Sequence, residues 1–285
     1  MVDGPDSVTG VVLRAMSRTP DARLREIMDS LVRHLHAFLR EARLTPEEFE
    51  QAIGFLQRLG QASGPEKNEV ILASDLLGAS TLVMLLDGRH GEGATDSALL
   101  GPFFRGNAPR LPDGANIAQH APGGIPLLVR GVVHDLQGAP IADVRVEAWQ
   151  ASPVGLYENQ DPEQPEHNLR GRFETDARGR FSFRTVKPAG YPVPVDGPCG
   201  DLLRAQHRHP YRPAHIHFLF AKAGYQTLVT QVFDNADEAI ASDVVFGVTP
   251  ALAGEFRPEP DGTFLLEYTF VMQPGDSRLP RPPIP

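Results

Sequence analysis

Cysteine is nearly missing from this chain: its 285 residues include one, Cys199. No disulfide can form within the chain, and a zinc or iron–sulfur site built on cysteines is excluded. A reducing compartment such as the cytoplasm suits this usage, and Cys199 is expected to be a small buried filler. A basic excess is missing as well. Lys and Arg total 27 against 36 Asp and Glu, a formal charge of −9. General nucleic-acid binding needs a face that neutralises phosphate, so it is not expected. The N-terminal residues Met1 to Asp6 lack a basic stretch leading into an apolar one, so no signal peptide is expected. The most apolar run, Val70 to Leu86, contains Asp75 and is short for a membrane span. It is expected to be one buried helix.

Hydrophobic residues make up 41% and charged residues 22%, the balance of a globular protein with a sizeable core. The first third has helical spacing. Leu24, Ile27, Met28, Leu31, Leu35, Phe38 and Leu39 form one stripe. Thr45-Pro46-Glu47-Glu48 is a helix start with a capping box. Phe49, Ile53, Leu56 and Leu59 continue that helix's apolar face, and Gly60 is its expected end. From about Gly88 the pattern changes to short apolar runs between Gly and Pro. Strands are expected at Val129–Val133, around Val144–Ala148, at Phe181–Phe183, Phe218–Phe220, Leu228–Phe233, Val244–Val248 and Phe264–Phe270. The expected fold is mainly β: a β-sandwich over residues 96–285 behind an N-terminal helical segment, residues 1–95. Asp161 to His167 should form a polar loop, and the Pro-rich tail after Pro274 should lie extended on the surface.

The sharpest chemical feature is Arg212-Pro213-Ala214-His215-Ile216-His217-Phe218. On a strand, residues two apart share a face, so His215 and His217 would converge as a pair of metal ligands. The same spacing also occurs on wet sheet faces with no metal. Two of the five tyrosines have unusual settings. Tyr157 closes Pro153-Val154-Gly155-Leu156-Tyr157 before the polar loop, and Tyr191 lies in the rigid run Pro188 to Pro194. Either could instead be a packed ring with its hydroxyl on a carbonyl. His207 and His209 have the look of surface or structural residues, and nothing converges on His34 and His36.

Taken together, these segments resemble the intradiol ring-cleavage dioxygenases of the catechol and hydroxyquinol type. The matching pieces are Leu100-Gly101-Pro102-Phe103-Phe104, Gly155-Leu156-Tyr157, Tyr191-Pro192 through Asp196-Gly197-Pro198, His209-Pro210-Tyr211 leading into His215-Ile216-His217, and Phe246-Gly247-Val248. They occur in order over nearly the whole chain. The resemblance implies one mononuclear non-haem Fe(III) per chain, held by Tyr157, Tyr191, His215 and His217. It implies that Tyr191 leaves the metal as a diol binds and takes its proton. It also implies that both atoms of O2 enter a cis,cis-muconate-type product, maleylacetate when the diol is hydroxyquinol. Phenolates suit so hard a cation, which lowers the pKa of an acid bound to it.

Arg212, three residues before His215, is placed to stabilise charge building on the ring. Gln231 matches a family position near the metal and substrate. Leu77, Ser80, Val193, Pro194 and the turn Gly101, Pro102, Phe103 resemble substrate-wall positions. The run Tyr191 to Pro198 most resembles hydroxyquinol-cleaving members, with catechol and chlorocatechol enzymes as the alternative. The resemblance further implies a homodimer through the N-terminal helices, with a bound amphiphile such as a phospholipid between them. Two other classes compete: a non-catalytic β-sandwich binding module, and a histidine-ligated zinc hydrolase, which would want a carboxylate beside the histidines.

Overall fold

The computed structural model describes residues 1–64, 67–87 and 93–283. Gly88, where the composition shifts, lies outside the described residues. The chain divides into two compact units, Met1–Gln57 and Arg58–Pro285.

The first unit is helical. Helix α1 spans Val8–Met16 and α2 spans Ala22–Ala42. Asp21 caps α2 by accepting from the Leu24 N–H at 2.9 Å, which satisfies one orphan donor of the first turn. Thr9 reaches across to His36 Nδ1 at 3.0 Å, so that histidine has a surface hydrogen-bonding role. The expected stripe on α2 is present but uncovered: Leu24, Ile27, Leu31, Leu35 and Phe38 are all about half exposed, and only Val32 is buried. Helix α3, Pro46–Ala62, carries the chain into the second unit. Its capping box is formed, with the Glu48 N–H donating to Thr45 Oγ1 and the Thr45 N–H to Glu48 Oε2. Gly60 does not end it, because the backbone ladder continues through that residue at a small propensity cost.

The run expected as one helix from Val70 to Leu86 is two: α4, Glu69–Leu76, and α5, Ala79–Asp87, bent by 76°. Gly78 is the reason. Its φ of +71° is left-handed, open to glycine at no steric cost and incompatible with a continuing helix. Among the described residues no single helix is long and apolar enough to cross a membrane.

The rest of the second unit is a β-sandwich. One sheet has the order β10-β11-β1-β4, from β10 (Phe256–Pro258), β11 (Phe264–Met272), β1 (Pro126–Asp135) and β4 (Arg180–Val186). The other has the order β3-β2-β7-β8-β9, from β3 (Arg170–Glu174), β2 (Arg145–Gln150), β7 (His215–Ala221), β8 (Leu228–Asp234) and β9 (Ala253–Gly254). Between the sheets lies a core rich in phenylalanine, with Phe173, Phe181, Phe183, Phe218, Phe220 and Phe270 all buried. A two-residue ribbon joins β5 (Tyr191–Pro192) to β6 (Tyr211–Arg212), and a short helix α6 spans Pro198–Ala205. The expected strand Val244–Val248 is a loop instead. The Asp243 carboxylate takes the N–H groups of Val245 and Gly247, and Phe246 has a φ of +59°. Those donors are therefore unavailable to a ladder.

Candidate metal centre

Strand parity builds the first half of the site. On β7, Ile216, Phe218 and Phe220 enter the core between the sheets. His215 and His217 therefore project from the opposite face, where Leu219 packs with Trp149. The β5–β6 ribbon sets Tyr191 directly opposite Arg212. Tyr157 comes from the turn after β2. Its N–H is held by Gln160 Oε1 at 3.1 Å, and its ring stacks on Phe103 at 4.5 Å.

These four side chains meet. Tyr157 Oη lies 3.4 Å from Tyr191 Oη, Tyr191 Oη lies 3.5 Å from His215 Nε2, and the two Nε2 atoms are 3.2 Å apart. Each ligand candidate is oriented by its own device. His215 Nδ1–H donates to the Pro213 carbonyl at 2.7 Å, which fixes the tautomer and turns the Nε2 lone pair into the cluster. His217 stacks flat on the Trp149 indole, centroids 4.8 Å apart. The Gly101 loop crosses its edge. A Cβ there would stand 2.9 Å from His217 Cε1, and φ is +75°, so this contact requires glycine.

Burial disfavours the charged forms of both imidazoles and of the Tyr157 phenol. Burial, with Arg212 beside it, pushes the His215 imidazole down to about 3. Burial and the neighbouring His215 hold His217 well below its usual range. Burial, followed by Tyr191, pushes the Tyr157 phenol well above 10. Donors bound at roughly 2 Å to one ion stand about 3 Å apart, close to the spacings found here. Among the described residues no three His, Cys, Asp or Glu side chains gather to hold a metal, so the tyrosines are indispensable to such a set. Two phenol oxygens with two imidazole nitrogens fit a hard, highly charged cation such as ferric iron.

A cavity of about 1000 Å³ opens on this cluster, and Tyr191 is part of its wall. Gly101, Pro102, Phe103, Val193, Pro194 and Arg212 line it. Leu77 and Ser80 do not. Helix α4 ends at Leu76, Leu77 turns outward at 67% exposure, and Ser80 Oγ donates back to Ser74 Oγ. Helix α4 reaches the cavity through Glu69, Ile71, Leu72 and Asp75, the last at three-and-four spacing from Leu72 and Ile71. Asp75 had a signal in the sequence, as the lone charge in an otherwise apolar run. Burial pushes its carboxyl up, against the Ser80 hydroxyl and the Arg212 charge.

Arg212 is buried. Its Nε and Nη2 donate to the two Asp243 oxygens, each at 3.1 Å, and Nη2 also to Gln231 Oε1 at 2.9 Å. Nη1 remains, 3.4 Å from His215 Nε2. Gln231 is thus behind Arg212 rather than on the cavity wall, and it passes a hydrogen bond on to the Leu99 carbonyl.

Residues 21–95 match the family described as "Catechol dioxygenase N terminus", and residues 99–274 match "Dioxygenase". The chain belongs to the intradiol ring-cleavage dioxygenases. It is 43% identical to a 6-chlorohydroxyquinol 1,2-dioxygenase of Cupriavidus pinatubonensis over 94% of this chain and 97% of that protein. It is 44% identical to a hydroxyquinol 1,2-dioxygenase of Rhizobium sp., over 91% of this chain and 88% of that one. A solved hydroxyquinol 1,2-dioxygenase from Pseudomonas putida superimposes with a TM-score of 0.89 at 38% identity, covering 95% of this chain and 99% of that one. As a member of this family the chain is an enzyme acting on an aromatic diol and O2, and the family generally uses non-haem iron. The readings as a binding module or a zinc hydrolase are set aside on this ground.

Proposed function

We propose that this dioxygenase opens the ring of hydroxyquinol between two adjacent hydroxylated carbons, with one Fe(III) per chain held by Tyr157, Tyr191, His215 and His217. The convergence of those four donor atoms at the edge of a cavity carries the reading. When bound, the ferric ion supplies Lewis acidity toward the diol oxygens and draws electron density from the ring, so that O2 can attack carbon.

The chain's own groups divide the remaining work. Tyr191 lines the cavity and Tyr157 does not, so Tyr191 Oη is the phenolate within reach of an incoming diol and takes its proton. Tyr157 stays, buried at 1% exposure under Phe103. Arg212 Nη1, the guanidinium nitrogen without a carboxylate partner, faces the reacting side and stabilises negative charge that develops there. The nonpolar walls from Leu72, Val193 and Val245 exclude water. Both oxygen atoms of O2 enter the product, so no external reductant is required.

Asp75 supports hydroxyquinol over catechol. Its half-buried carboxyl on the cavity wall, beside Leu72, is a partner for the third hydroxyl, which catechol lacks. A site built to bond a hydroxyl discriminates strongly against an analogue without it. The names of the Cupriavidus and Rhizobium relatives point the same way. Catechol or chlorocatechol cleavage is the alternative, since a catechol 1,2-dioxygenase of Candida albicans is 42% identical over 82% of this chain. The test is oxygen uptake by purified enzyme against hydroxyquinol, catechol, chlorocatechols and protocatechuate. Hydroxyquinol should give the highest kcat/KM, and preference for an unsubstituted or chlorinated catechol would replace the substrate assigned here.

The helical segment, residues 1–95, is assigned to homodimerisation. The uncovered stripe on α2 and the exposed Leu82, Val83 and Leu86 on α5 are apolar surface of the kind that interfaces cover. A phospholipid-like amphiphile bound at the dimer interface would cover part of it. A cytoplasmic location agrees with the single buried thiol.

A further inference from the structure

One buried acid beside the cavity has no place in the chemistry so far. Asp243 is 4% exposed and sits in the loop that replaces the expected strand. Its two oxygens accept from four N–H groups: Arg212 Nε and Nη2, and the backbone of Val245 and Gly247. Four donors and no acceptor define a carboxylate. The paired bonds to Arg212 form the planar two-point contact that fixes a guanidinium in rotation as well as in position. With Nη2 also bonded to Gln231, the hydrogen-bonded Nε and Nη2 leave Nη1 for the reacting side. The same carboxylate holds the backbone of Val245, a cavity wall residue. Gln231 links Arg212 Nη2 to the carbonyl of Leu99, another residue of the cavity wall.

We propose that Asp243 is the positioning residue of the reaction: it aims Arg212 Nη1 at the diol, acting on catalysis only through Arg212. This rests on the ring-cleavage site assigned above. Asp75, the other carboxylate near Arg212, makes no hydrogen bond to it, so the aiming falls to Asp243.

The test is a double-mutant cycle on the iron-loaded enzyme, comparing Asp243→Asn alone with the same change in an Arg212→Met background. Asp243→Asn should keep its iron and resting visible spectrum, because no ligand is altered. Diol binding under nitrogen, followed by the shift of that spectrum, should stay within about threefold. Turnover should fall about 10- to 100-fold, less than the loss expected on removing the charge altogether. In the Arg212→Met background the further loss should be under about twofold. Asp243→Glu keeps the charge but displaces it by one methylene. It should fold even where Asp243→Asn does not, and show the same split between intact binding and slowed turnover. The proposal is overturned by wild-type turnover in either folded variant. It is overturned equally by an undiminished loss in the Arg212→Met background, or by failure of both variants to fold, which would make Asp243 a residue of the fold alone. Wild-type protein without iron or ring cleavage would instead overturn the underlying site, so the two failures are told apart.

Discussion

Replacing Asp75 with alanine separates substrate choice from chemistry. Asp75 reaches the cavity from α4 one turn after Leu72 and is hydrogen-bonded to none of the four metal-ligand candidates, so the change should leave iron and colour intact. A hydrogen bond to a charged group contributes about 1.5–3 kcal/mol net. At about 1.4 kcal/mol per factor of ten, its loss corresponds to a fall of roughly 10- to 150-fold in kcat/KM for hydroxyquinol. Catechol has no third hydroxyl to lose a partner, so its kcat/KM should move by less than about threefold. The ratio of the two should therefore collapse by nearly the whole factor. Asp75→Asn keeps a polar partner and should retain part of the preference. Initial rates of oxygen uptake on both diols, from one preparation with measured iron content, give the ratio directly. Equal losses on both diols would show that Asp75 only packs α4, and an unchanged ratio would remove it from substrate choice.

Arg212→Met should lower turnover by about 10²–10³-fold with iron retained. It should also destabilise the fold by about 3–5 kcal/mol, because Asp243 is left buried without its partner; adding Asp243→Asn should recover melting temperature but not turnover. The metal-free protein should weaken in acid. His215 is held down near 3 and His217 well below its ordinary 6.5. Between those limits the unfolded chain binds protons that the folded chain refuses. The stability is therefore present above about 6.5 and lost as pH falls toward 3, at about 1.4 kcal/mol per pH unit for each histidine; denaturation midpoints at pH 7, 5 and 4 measure it, and a flat profile contradicts it. Light scattering at micromolar concentration should give a dimer, and a strict monomer would contradict the role assigned to residues 1–95.

Much of this architecture was legible in the order of residues. Alternation on β7 announced that His215 and His217 share a face, and Thr45 to Glu48 announced the start of α3, because both follow from local geometry. The break at Gly78 was not legible, since a glycine inside an apolar run is tolerated in many helices and only its left-handed backbone betrays the turn. Val244 to Val248 has strand composition, yet one carboxylate from Asp243 captures its N–H groups. Leu77 and Ser80 were expected on the wall through the family resemblance, with helix packing as the alternative, and the break at Gly78 leaves both off the cavity. Asp75 stood out in the sequence only as a lone charge and Asp243 not at all, because the Arg212 guanidinium beside each is brought there by the fold.

Whether Tyr157, Tyr191, His215 and His217 hold ferric iron is decided by metal analysis of the purified chain alongside its visible spectrum. About one iron per chain and a red-brown colour from phenolate-to-ferric charge transfer are expected, with Tyr157→Phe losing colour and iron together. Full ring-cleaving activity in a colourless, zinc-loaded protein would contradict this assignment.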